Sequence, residues 1–145
     1  MTRAERWRDN WRAVSPPGAV RVELGRSRAA RRQAERDVRA LPAGTAVALA
    51  AAGPGAARRC RRLASRTGLV LEREFLAVPS ATVPAYLVED ERGPVELFLA
   101  TVLVTPPGAP LARAVEGVLT LVRALRPVRV VRALAPGRVA VGRCS

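Results

Sequence analysis

The chain has 145 residues, 25 of them basic and 12 acidic, with a formal charge of +13 and a pI near 11.8. That length suits one domain with a single core, and 49% hydrophobic residues argue against disorder. There is no His. This excludes imidazole bases, the Ser-His-Asp triad and the common His-containing zinc sites.

Every basic residue is Arg. Arg stays charged and forks bidentately onto phosphate or carboxylate, so an anionic ligand, nucleic acid or an acidic protein partner is expected. The codon bias of a GC-rich genome explains the missing Lys equally well, but the charge still has to be solvated or paired.

Residues 1–18 read as a polar N-terminal helix or tail with a linker, and residues 19–145 as one α/β domain. Trp7 and Trp11 share a face at i, i+4 spacing, which either docks the tail or offers a contact surface. The N-terminus has no apolar segment of the signal-peptide kind, so a cytoplasmic location is expected. Ser15-Pro16-Pro17-Gly18 is a turn. Val20, Val22 and Leu24 alternate with Arg21 and Glu23 as a half-buried strand.

A helix over 27–40 follows, capped by Ser27, with Ala30, Ala34, Val38 and Leu41 inward. The apolar run Thr45 to Ala52 reads as a strand buried in a parallel sheet rather than a membrane span, because Pro42, Gly44, Gly53, Pro54 and Gly55 interrupt the uncharged stretch. A helix over 54–67 places Ala57, Cys60, Leu63, Ala64 and Thr67 inward and Arg58, Arg59, Arg61, Arg62 and Arg66 outward. Gly68 ends it. Cys60 and Cys144 form no disulfide framework, and Cys60 is expected as a buried thiol.

Strands over 69–78 and 85–88, helices over 94–104 and 111–125, and a closing strand over 138–141 complete the chain. Residues 128–134 are ambiguous. The alternation of strands and helices predicts a three-layer, Rossmann-like, mostly parallel sheet with flanking helices and right-handed βαβ crossovers.

Three constellations carry possible chemistry. Gly53-Pro54-Gly55 lies between a strand and a helix, where backbone can approach an anionic ligand, and Glu72 follows in the next strand at about the spacing of a ribose-binding acid. Glu89-Asp90-Glu91 is either a carboxylate pair for a metal or for acid-base work, or a loop favoured by the following helix dipole. No metal is expected overall. Arg123, Arg126, Arg129 and Arg132, taken with the arginines at 58–66, are a candidate phosphate-binding surface or a solvated face.

Leu41-Pro42-Ala43-Gly44 before the strand over 45–52, Thr67-Gly68-Leu69, the run from Glu72 to Ser80, Pro84 to Asp90, and Ala135 to Val141 together resemble the later part of bacterial class I S-adenosylmethionine-dependent methyltransferase-like domains. The resemblance spans about Leu41 to Arg143. It implies a Rossmann-like fold and S-adenosylmethionine as cofactor. As the later part of the domain it would place the family's cofactor loop upstream of these residues, whereas in a rival alignment Gly53 and Gly55 are that loop, with Glu72 the candidate acid. The family's acid before the cofactor loop is Ala51 here, and the chain is short for a complete domain. A truncated or inactive relative is therefore one expectation. A non-enzymatic arginine-rich module that binds nucleic acid without sequence preference, or an acidic protein, is the other.

Overall fold

In the computed structural model, residues 9–101 and 128–145 are described, together with 117, 120, 121 and 124. The chain enters through a 3-10 turn over Asn10–Val14. Five strands follow: β1 (Val20–Leu24), β2 (Ala46–Ala52), β3 (Leu69–Val78), β4 (Tyr86–Glu89) and β5 (Gly137–Cys144). The helices are α1 (Arg28–Arg39), α2 (Ala56–Thr67), α3 (Arg92–Thr101) and α4 (Val128–Leu134). The ambiguous 128–134 segment is thus helical. The expected helix over 111–125 falls almost wholly outside the described residues, although 117, 120, 121 and 124 are helical.

Local signals account for the helix ends. Ser27 accepts a hydrogen bond from the Ala30 amide at 3.0 Å and so satisfies one of the free donors of α1. Gly68 closes α2 in the left-handed conformation at φ 74°, where a side chain would be strained.

The strand order is β1-β2-β5-β3-β4. The expectation of a mostly parallel sheet is corrected: β1 and β2 are parallel neighbours, while β5 runs antiparallel to both β2 and β3, and β4 antiparallel to β3. The sheet is mixed because the last strand inserts between β2 and β3. The continuous apolar run of β2 reflects its place inside the sheet, covered on both faces, and not parallel pairing.

Strand register fixes which residues share a face, since directly paired residues point to the same side. Val22, Leu49 and Ala140 are aligned across β1, β2 and β5, and they pack with Ala34 and Val38 of α1 and Cys60 and Leu63 of α2. Arg138 pairs with both Ala51 and Leu76, which places Leu76 on that same face. Leu76 in turn packs against Val95 and Leu99 of α3 and Val128 of α4. All four described helices therefore lie on one side of the sheet. The three-layer expectation becomes two layers among the described residues.

The opposite face carries Ala50, Phe75, Ala77, Val139 and Val141, covered by Ala81 and Val14. Trp11 is buried on this side, with the Arg21 guanidinium 5.8 Å from its ring centroid. The docking role expected for the tail tryptophans thus holds for Trp11; Trp7 lies outside the described residues. No helix among the described residues is long and apolar enough to cross a membrane.

Gly142 permits a close approach of backbone. A Cβ there would lie 2.3 Å from the Val70 carbonyl oxygen, beside the irregularity in β3 between Leu71 and Arg73.

Candidate anion-binding grooves

Because β1 and β2 are parallel neighbours, the loops at their carboxyl ends lie side by side. One is Gly25-Arg26-Ser27; the other is Gly53-Pro54-Gly55. Gly53 and Gly55 both have left-handed backbone, at φ 72° and 73°. A Cβ on Gly53 would fall 1.9 Å from Arg26 Nη2, so the guanidinium of Arg26 lies across this glycine. That contact requires the missing side chain.

The backbone of the glycine loop is already engaged. The Gly53 amide donates to the Pro136 carbonyl at 2.8 Å. Arg59 reaches back from α2 and donates to the carbonyls of Pro54, at 2.8 Å, and Ala52. Arg59 was expected to point outward, but it is half-buried because it serves this loop.

Glu72 is not brought to the glycines. It lies at the β3 irregularity, level with Gly142 and hence with Val47 at the start of β2. Gly53 follows the far end of β2. The offset along the strands is about five residues, or roughly 17 Å at about 3.3 Å per residue, with β5 intervening. Glu72 instead accepts from Arg143 Nε at 2.9 Å.

The acidic cluster is structural in its central member. The Asp90 side chain is only 4% exposed, and it pairs with Arg138, 6% exposed, and with Arg132 of α4. Glu89 accepts from Arg73 Nε at 2.8 Å, a bond that holds its carboxyl below the usual range. The Glu91 carbonyl accepts from the Val95 amide at 3.2 Å as α3 begins. No group of three or more metal-ligating side chains occurs among the described residues.

The arginines do converge. Between α1 and α2 runs a groove of about 450 Å³ lined by Arg26, Arg31, Arg58, Arg59, Arg62 and Arg66, with Glu35 the sole acid among the described lining residues. On the other side of α2, toward α4, lies a second groove of about 430 Å³ lined by Arg58, Arg61, Arg129, Arg132 and Arg138, with Asp90 the sole acid among the described lining residues. Arg58 stands on the crest shared by both. Arg123 and Arg126 lie outside the described residues.

The acids present are largely used up. Glu35 pairs with Arg39 at 2.8 Å and Arg66 at 3.8 Å. Arg61 forks onto Glu74, and that bond raises its pKa further. Arg26, Arg58, Arg62 and Arg129 form no ion pair among the described residues. Among the described residues no aromatic side chain lines either groove.

Two members of this arrangement were missed in the sequence. Arg26 directly follows a strand-ending glycine, which was a readable signal. The buried partnership of Arg138 with Asp90, 48 positions apart, had none.

Cys60 is buried at 1% exposure, and burial pushes its thiol from 9.0 up to about 12. Folding keeps it protonated, so its contribution to stability is full below about pH 9 and is lost as pH rises toward 12. Native protein treated with a thiol reagent at pH 8 is expected to be modified at the half-buried Cys144 and spared at Cys60 until it unfolds. Equal labelling of both in the native state contradicts this.

No family model, curated protein or solved structure matches the chain.

Proposed function

We propose that this chain is a non-enzymatic, arginine-rich module that binds the sugar-phosphate backbone of nucleic acid across its helical layer. The observation that carries the reading is the pair of arginine-lined grooves on either side of α2, joined at Arg58. A guanidinium that lacks a protein acid is available to a phosphate, and contacts of this kind set affinity without reading sequence. The absence of aromatics from both grooves favours a duplex backbone over single strands held by stacking. Two buried aromatics, Phe75 of β3 and Trp11 of the 3-10 turn, belong to the opposite face. The test is titration of a labelled duplex at several salt concentrations, with binding expected to weaken steeply as salt rises.

A second reading is a methyltransferase-like domain that binds S-adenosylmethionine, active or inactive. It is favoured by the left-handed Gly53 and Gly55 at the carboxyl end of β2, beside the matching end of β1. Calorimetry separates the two. This reading predicts micromolar S-adenosylmethionine binding that is lost in Gly55→Val. Absence of binding up to millimolar ligand removes it.

A further inference from the structure

Beyond a nucleic-acid face, we infer that the groove between α1 and α2 is a discrete site for a compact polyphosphate, a di- or triphosphate group. Three of its guanidinium groups, those of Arg26, Arg58 and Arg62, form no ion pair among the described residues. Arg31 joins them, with a long hydrogen bond of 3.4 Å from its Nε to the Ser27 carbonyl and no ion pair among the described residues. Arg59 has no acid partner among the described residues either but is spent on the carbonyls of Pro54 and Ala52, so of the six arginines that border the cavity four are left for a ligand, and Glu35, the one acid among the described lining residues, is already shared by Arg39 and Arg66.

Like charges gathered in a concavity repel one another and concentrate counter-anions. One phosphate monoester carries about two negative charges at neutral pH, so balancing four guanidinium groups takes two or more linked phosphoryl groups. The volume of about 450 Å³ falls within the ordinary range of small-ligand sites. Leu24 and Leu63, core residues each only 6% exposed, supply a small apolar patch in the same wall. A phosphate chain has no use for that patch, but the base of a nucleotide does.

The groove on the other side of α2 is the internal control. Its Arg132 and Arg138 share Asp90, and its Arg61 is taken by Glu74. Of its five described arginines, Arg58 and Arg129 have no acid partner among the described residues, and Arg58 belongs equally to the first groove.

The test is calorimetric titration of the full chain with inorganic triphosphate, ATP, AMP and orthophosphate. Inorganic triphosphate is expected to bind one per chain, with AMP and orthophosphate at least about tenfold weaker, since charge-assisted contacts are lost with each phosphoryl group. Arg31→Gln with Arg62→Gln, both exposed in the fold, is expected to weaken triphosphate by about tenfold or more, and Arg129→Glu by less than about twofold. ATP binding equal to that of triphosphate identifies the phosphate chain alone as the ligand. Tighter ATP binding adds a base on Leu24 and Leu63. Several weak equivalents per chain, or equal losses in the Arg31/Arg62 and Arg129 variants, overturn the site. Either of those results leaves duplex binding to be judged by its own titration, so the two readings fail separately.

Discussion

Asp90→Asn is expected to destabilise the fold by about 3–5 kcal/mol, read as a drop in the urea midpoint with an unchanged slope. Asp90 faces Arg138 with both side chains almost fully buried, 4% and 6% exposed. Removing the carboxylate charge leaves an almost fully buried guanidinium at the wall of the second groove without its counter-charge. Arg132 loses its partner as well, but at 37% exposure it can turn to solvent. The cost should therefore belong to Arg138. Pairing Asp90→Leu with Arg138→Met is expected to recover much of the loss, because an apolar pair needs no compensation. A loss below about 1 kcal/mol for Asp90→Asn, the range of an exposed ion pair, contradicts the burial argument.

This cluster also bears on function. Asp90 ties the loop after β4 to Arg138 of β5 and to Arg132 of α4, and α4 forms one wall of the second groove. Losing the carboxylate should loosen that wall as well as the fold.

The second large effect concerns Arg58 and Arg129. Arg58 borders both grooves, and Arg129 lines the second; neither has an acid partner among the described residues. Both side chains are exposed, so charge reversal should leave stability within about 0.5 kcal/mol. Arg58→Glu with Arg129→Glu is expected to weaken duplex binding at low salt by about a hundredfold, a loss of roughly 2.7 kcal/mol from two contacts turned repulsive. The loss should be similar for unrelated duplex sequences, because phosphate contacts carry no base readout. A loss confined to one sequence, or none, contradicts the proposal.

Much of the helical layer was legible in the sequence. Ala34, Val38, Cys60, Leu63 and Ala64 follow helical periodicity and are buried, while Arg28, Arg32, Arg36, Arg61 and Arg66 fall on the exposed side. Ser27 and Gly68 mark helix ends by their own chemistry, one as an acceptor and the other through its backbone freedom. The arginines at 58–66 and at 129–132 were visible as candidates for one phosphate surface.

Sheet direction was not legible. Parallel and antiparallel neighbours leave the same apolar signature on a strand that is covered on both faces, as β2 is. Only the position of β5 decides it, and nothing in Arg138 to Val141 announces that this strand enters between β2 and β3. The count of layers among the described residues differs for a related reason, since alternation of strands and helices does not say which face each helix takes. Glu72 illustrates the limit of spacing arguments: its distance along the chain suits a ribose-binding acid, yet the inserted strand and the register place it at the wrong end of the sheet.

Fluorescence anisotropy of a labelled duplex, titrated between 50 and 200 mM salt, tests the central claim most directly. If about six phosphates are engaged, the logarithm of the binding constant should fall linearly with the logarithm of salt, with a slope near −5, and affinity should drop about a thousandfold across that range. In Arg58→Glu with Arg129→Glu the slope should become shallower by about two. No binding at 50 mM salt, or a slope unchanged in that variant, contradicts the assignment of the helical layer as a nucleic-acid surface.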